Sequence, residues 1–230
     1  MHHTGTANHN NRIMLIHSHS SIKDFQGCAR RYHQVRILKR FRSQPTEATT
    51  YGNLVHEAFE KYLMEDKPLP EHLEKYQGVL DKIKAMPGDR YCELKVGMTK
   101  DFKPCGFADK DVWFRGIPDL LIVNGATAWV GDWKTGKSSK YADTSQLELM
   151  AAMAMTHFPE VQKVKSMLFF IVPNDVILSL YRREQMPEIL SKWVGHASAI
   201  EKAVQADVWN ASPSGLCKFC PVSEEACEHR

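Results

Sequence analysis

The sequence predicts a mixed α+β (α/β) fold, a central mixed sheet flanked by helices, on three observations. The first third of the chain carries apolar residues at helical spacing. From residue 91 the period shortens to that of strands. One apolar helical segment, 145–157, then separates those strands from two more, and a last helix follows.

Composition narrows the class further. With 230 residues, 43% hydrophobic and 25% charged, the chain is ordinary globular material, and disorder, coiled coil and collagen are excluded. A net charge of +3 is too small to identify a polyanion partner, so any basic patch has to be argued from position. The longest uncharged apolar stretch, 166–174, is far shorter than the roughly 20 residues of a membrane helix, so no membrane partner is expected. The opening MHHTGTANHNNR has no apolar run that could serve as a secretory signal, and the expected location is cytoplasmic. Residues 1–17 read as a flexible lead-in and 18–230 as a single domain.

Each element has its own signal. Ser20 or Ser21 can cap a helix running through Ile22, Phe25, Tyr32, Val35 and Leu38. Between Lys23 and Arg42 that segment holds seven Lys/Arg against one acid, Asp24, interleaved with aromatic residues, a pattern suited to DNA backbone contact. A second helix over 50–64 places Val55, Phe59 and Leu63 on one face, and a third over 71–86 follows the break at Pro68 and Pro70. Strands are expected over 91–98, 112–115, 117–123 and 127–134, with Asn124-Gly125 as the hairpin turn between the last two. A polar loop leads to the helix 145–157. Strands 164–172 and 176–181 pair across Pro173, Asn174 and Asp175, and a helix over 187–206 precedes a cysteine-bearing tail.

The chemistry concentrates in GIPDLLIV and GDWKTGK. Residues two apart on a strand share a face, so Asp132 and Lys134 point the same way. The hairpin can bring Asp119 to the same end of the sheet. A carboxylate in so apolar a run is costly to bury without a cation or hydrogen bonds. Two carboxylates suit a hard divalent ion such as Mg²⁺, and a neighbouring lysine can orient water or offset charge developing on phosphate.

These motifs, with three others, resemble the RecB-like branch of the PD-(D/E)xK nucleases, including CRISPR-associated RecB-like exonucleases and related phage exonucleases. SHSSIKDFQGCARRYH is similar to the family's opening motif, GNLVHEAFE to its Gly-x-x-x-His helix, and GIPDLL and GDWKTGK to its two carboxylate motifs. QLELM is similar to its Gln-x-x-x-Tyr helix, except that Met150 stands where the family has Tyr. The resemblance covers nearly all of 18–227. It implies a restriction-endonuclease-like core and an Mg²⁺- or Mn²⁺-dependent deoxyribonuclease, an exonuclease acting on DNA with free ends or on single strands and leaving 5′-phosphates. By the same resemblance, His56, Asp119 and Asp132 are metal ligands, joined by the main-chain carbonyl of Trp133. Lys134 is the catalytic lysine, and Gln146 holds DNA or orients Lys134. Arg30, Arg31 and Tyr32 belong to the DNA-binding motif, and Glu93 ranks behind the other acids. Partner proteins of a recombination or CRISPR pathway are left open.

A second reading comes from the same residues. Gly131, followed four residues later by Gly136-Lys137-Ser138, satisfies the phosphate-loop pattern of an NTPase. Against it, Asp-Trp-Lys-Thr is bulky and acidic where backbone amides should cradle phosphate. The later strand also interposes Pro173 and Asn174 before its acid, Asp175. A third reading, a catalytically inactive metal-stapled DNA-binding module, is opposed by the joint presence of Asp119, Asp132 and Lys134.

Six cysteines in a chain of this length are too few for a disulfide framework. Cys217, Cys220 and Cys227 crowd the tail, which in a reducing compartment points to metal. Four thiolates suit zinc or an iron–sulfur cluster alike. In the resembled exonucleases that carry a cluster, one cysteine comes from the opening motif and three from the tail. That resemblance implies a 4Fe–4S clasp on Cys28, Cys217, Cys220 and Cys227, with zinc as the fallback. Cys92 and Cys105 read as ordinary free thiols.

Overall fold

A computed structural model describes residues 15–140 and 142–230. Of the expected flexible lead-in, 1–14 lie outside the described residues. His17 already bonds in both directions to the chain near Phe114, taking the Trp113 carbonyl at 2.7 Å and giving its own to the Arg115 N–H at 2.9 Å.

The first helix departs from its sequence reading. Ser18, not Ser20 or Ser21, caps α1 (His19–Gly27) through a reciprocal capping box with Ser21. The chain then breaks at Cys28, which is extended at φ −166°, ψ 111°, before α2 (Ala29–Tyr32) and a π-helical turn, His33–Ile37. Helix α3 (Glu47–Glu65) starts before residue 50 because Thr46 and Thr49 cap it, and its buried row is the expected Val55, Phe59 and Leu63. The third helix is divided into a 3₁₀ segment, Glu71–Tyr76, and α4 (Gln77–Lys84).

The expected strand 91–98 is two strands, β1 (Asp89–Cys92) and β2 (Val96–Thr99), in different sheets, separated where Glu93 turns to φ 50°. A short β3 (Pro104–Cys105) and β4 (Val112–Gly116) complete a three-stranded sheet in the order β3-β2-β4. Ile117, Pro118 and Asp119 fall outside the following strand, β5 (Leu120–Asn124), since Pro118 has no N–H to give a ladder. Strand β6 (Thr127–Lys134) and helix α5 (Ser145–His157) coincide with their expected bounds. Strands β7 (Lys163–Phe170) and β8 (Asp175–Arg182) form the expected hairpin, and α6 (Met186–Ala206) ends the helical part.

The main sheet has the order β1-β5-β6-β7-β8. Its β6–β7 pair is parallel, bridged by α5, and the other pairs are antiparallel. Helix α5 is apolar nearly all round because it is enclosed, packing on β6 and β7 on one side and on α6 and β2 on the other. On the opposite face Val55, Phe59 and Leu63 of α3 and Leu80 and Ile83 of α4 pack against Leu120, Ile122 and Trp133. Among the described residues no helix is long and apolar enough to cross a membrane.

Candidate active site

The C-terminal end of β6 holds the site, and its placement follows from packing. The Trp133 side chain, 3% exposed, is wedged edge-on between the rings of Phe59 and Phe169 at 5.2 and 5.8 Å. Burying a side chain of that size contributes about 1.5–3 kcal/mol or more, which fixes the peptide groups around it. The Trp133 N–H donates to Asp119 Oδ2 at 2.7 Å, and its carbonyl lies 3.0 Å from His56 Nε2. Helix α3 comes close enough for this because Gly52, one turn before His56, has no side chain; a Cβ there would sit 3.3 Å from Thr135 Oγ1.

The His56 ring spans the site. Its Nδ1 is 3.3 Å from Asp119 Oδ1 and 3.9 Å from Glu93 Oε1. Burial alone would lower its pKa. The hydrogen bonds to Asp119 and Glu93, with the charges of Asp119 and Asp132, outweigh that and raise it to about 10. Ligand atoms of His56, Glu93 and Asp119 all lie within 4.8 Å of one another, so Glu93 joins His56 and Asp119 as a third donor. Its left-handed backbone at the β1–β2 break turns the side chain into the site.

Asp132, close enough to feel the charges of Asp119 and His56, is bonded towards α5. Its Oδ2 is 2.6 Å from Lys134 Nζ, an ion pair without ideal hydrogen-bond angles. Its Oδ1 accepts from Gln146 Nε2 at 2.5 Å, and Gln146 Oε1 accepts from Lys134 Nζ at 3.1 Å. Burial and the charge of Asp119 push the Asp132 pKa up, against the pull of Lys134 and His56. Gln146 is thereby a spacer that holds lysine and carboxylate in one triangle.

Those donors fit a hard divalent cation. His56, Glu93 and Asp119 bring a ring nitrogen and two carboxylates within 4.8 Å of one another, a donor set such an ion accepts, with the carboxylates on the Nδ1 side of the ring and the Trp133 carbonyl on the Nε2 side. The phosphate-loop residues do not form such a loop: Gly131 to Lys134 are strand, and the next helix starts only at Ser145.

Sequence reasoning missed the brace beside this triangle. Asp143 accepts from the Ser145 N–H at 2.9 Å and pairs with Lys23 at 2.9 Å, while His19 Nε2 lies 3.1 Å from Ser145 Oγ. Helix α1 is so tied to the first turn of α5, next to Gln146. Met150, standing where the family has Tyr, is buried against Gly116, where a Cβ would collide with its side chain. The opening-motif residues also have structural partners. Arg30 donates to the Trp209 carbonyl at 2.9 Å, Arg31 pairs with Asp24 at 2.7 Å, and Tyr32 is 3% exposed, stacked near Trp209. Tyr32 therefore offers no surface to DNA, a correction to its expected role.

A second cluster lies at the chain ends. Cys28, Cys217, Cys220 and Cys227 line one cavity of about 370 Å³. Backbone N–H groups point at its sulfurs: Arg31 and Ser212 donate to Cys28 Sγ at 3.4 and 3.5 Å, and Ser214 to Cys217 Sγ at 3.3 Å. Among the described residues no three cysteine sulfurs lie within 4.8 Å of one another. Of the other two thiols, burial pushes Cys92 up to about 12, and burial with Asp111 and Asp109 raises Cys105.

Comparison with known proteins agrees with this architecture. A crystal structure of an exonuclease candidate from Eubacterium rectale is 12% identical with TM-score 0.52, covering 96% of this chain and 95% of that one, a likeness of fold. Another solved structure, SSO0001, is 12% identical over 78% of this chain and 74% of its own, with TM-score 0.40. No curated protein matches the sequence. The family model of the PD-(D/E)XK nuclease superfamily matches residues 17–228, and with its carboxylates, lysine and histidine gathered at the end of β6 the chain belongs to that superfamily.

Proposed function

We propose that this nuclease is a Mg²⁺- or Mn²⁺-dependent DNA exonuclease of the RecB-like branch. The observation that carries the reading is the convergence of two groups at one strand end. His56, Glu93 and Asp119 bring ligand atoms within 4.8 Å of one another beside the Trp133 carbonyl, and Asp132, Lys134 and Gln146 form a bonded triangle next to them. A divalent cation in that set would lower the pKa of a water and offset phosphate charge. His56, Asp119 and Asp132 would bind it with the Trp133 carbonyl, which the buried ring fixes in place. Lys134, held against Asp132 and Gln146, places positive charge where the phosphate becomes more negative during attack. Water oxygen bonds to phosphorus, the bond to the 3′ oxygen breaks, and the products are a 5′-phosphate and a 3′-hydroxyl. End-labelled single- and double-stranded DNA should be shortened progressively from its ends with Mg²⁺ or Mn²⁺ and left intact with EDTA. Cutting of covalently closed circles at the same rate would exclude the exonuclease reading.

The cysteine cavity supports a 4Fe–4S clasp on Cys28, Cys217, Cys220 and Cys227. Four thiolates suit a single zinc or a cluster alike, and the family resemblance favours iron. The N–H groups aimed at Cys28 and Cys217 are the kind of hydrogen bond that cluster sulfurs accept. The clasp would tie the segment after α1 to the tail, away from the carboxylates. Anaerobically purified protein should be brown with about four irons per chain. Cys217→Ser should lose the iron and lower Tm by about 5–10 °C, the equivalent of roughly 2–3 kcal/mol in a chain of this size. One zinc per chain and no colour would replace the cluster with zinc, and a metal-free, equally stable protein would remove the clasp.

A further inference from the structure

Strand β8 ends the main sheet, and no described strand pairs with its outer edge. Backbone direction along it can be fixed from the hydrogen bonds. The Ile171 N–H donates to the Lys134 carbonyl at 3.0 Å, so odd residues around β7 face β6 and even ones face β8. Their partners on β8 are Asp175, Ile177, Ser179 and Tyr181. The same parity holds at the far end, where the Arg183 N–H donates to the Gln162 carbonyl at 2.8 Å. Val176, Leu178, Leu180 and Arg182 therefore turn their N–H and C=O groups outward. Two of the outward donors are capped locally, Val176 by Asp175 Oδ1 at 2.9 Å and Arg182 by Gln185 Oε1 at 2.7 Å. Between them, Leu178 and Leu180 keep open backbone groups among the described residues.

The side chains on that edge are unusual for an unpaired strand. Val176, Leu178 and Leu180 are 40%, 74% and 48% exposed, on the sheet face that α3 and α4 leave uncovered. Single chains usually guard such an edge with a charge, a proline or a bulge, and β8 has an unbroken register and none of these between Val176 and Leu180.

We infer that β8 pairs antiparallel with β8 of a second copy of this chain, about a two-fold axis through Ser179. The open window is self-complementary in that register. Leu178 lies opposite Leu180 of the second copy and the reverse, and each such pair exchanges both of its N–H···O bonds. A shift by one residue would set the apolar row against the opposite face. Charge agrees with the register, because Asp175 at the start of one strand arrives near Arg182 at the end of the other, while the Arg183 guanidinium stays on its own chain's Met155, Phe158 and Val161 carbonyls. The rows Val176, Leu178 and Leu180 then join across the seam and cover one another.

The axis stands perpendicular to the sheet and reverses strand direction. The two ends of β6 consequently open on opposite sides of the joined sheet. If those ends are the cutting sites proposed above, each copy works on its own DNA end, and the pair is not arranged for a concerted double-strand cut. The dimer itself can be tested without any nuclease assay.

Light scattering after gel filtration, over about 1–100 µM protein, should show a mass rising towards twice the chain's 26.3 kDa. Leu178→Pro removes one outward N–H without touching the β7 ladder, and Leu180→Lys places charge in the seam. Each should weaken association at least tenfold. The second variant serves should the proline variant fail to fold. Facing Ser179 positions form a non-hydrogen-bonded pair with Cα atoms about 4.5 Å apart, within disulfide range. Ser179→Cys should therefore give a covalent dimer on mild oxidation, absent from wild type treated alike. A wild type that stays at 26.3 kDa throughout, or a dimer indifferent to Leu180→Lys, overturns the inference. A dimer that Ser179→Cys does not cross-link overturns the register.

Discussion

Lys134→Ala is expected to lower DNA cleavage by about 10²–10³-fold at saturating substrate, while Lys137→Ala leaves most of it. The two lysines stand three residues apart and differ in what holds them. Lys134 ends β6 and is tied to Asp132 at 2.6 Å and Gln146 at 3.1 Å, so its ammonium is already aimed when substrate arrives. Lys137 follows in the exposed polar loop. Removing Lys134 also leaves the buried Asp132 carboxylate without its cation, so the acid is pushed further towards its neutral form. The loss should therefore appear in kcat, with KM for DNA changed little. The opposite pattern, an ATPase that dies with Lys137→Ala and no DNase in wild type, would restore the phosphate-loop reading.

Much of this site was legible in the sequence, and the exceptions have physical causes. Strand β6 and helix α5 were readable to the residue because one is flanked by a hairpin turn and the other is apolar throughout. Asp132, Lys134 and Gln146 come together as their placement on those two elements required. The proximity of His56 to Asp119 depends on α3 crossing the sheet at Gly52, which the helix signature in GNLVHEAFE encodes. Glu93 was undervalued because 91–98 reads as one strand, and only the left-handed turn at Glu93 divides it and directs the acid inward. The break at Cys28 was invisible for a related reason. Residues around it keep helical periodicity, but its extended backbone is held by contacts with a tail 184 residues away. Tyr32 looked like part of a DNA surface since it follows two arginines, yet its ring is consumed by Phe25 and Trp209. Charge spacing reports composition of a face, and burial is decided by a partner that the local sequence does not contain.

Asp119→Asn should reduce Mn²⁺ affinity and cleavage together, the latter by about 10³-fold, the several kcal/mol a metal ion supplies to a developing phosphate charge. The substitution is nearly isosteric. Its amide oxygen can still accept from the Trp133 N–H, which Asp119 Oδ2 now takes at 2.7 Å, so the strand end should keep its shape. What is lost is a full negative charge beside His56 and in the same set as Glu93. DNA affinity without metal should change by less than about threefold, because phosphate contacts come from Lys and Arg and this carboxylate, if anything, repels the backbone. Mn²⁺ titration followed by electron paramagnetic resonance reads the first effect, end-labelled DNA the second, and filter binding in EDTA the third. Cleavage near the wild-type rate would show that the cation does not depend on Asp119. Weakened Mn²⁺ binding with DNA binding lost in equal measure would instead point to collapse of the strand end, and a far-UV spectrum and melting curve would separate that from loss of a ligand.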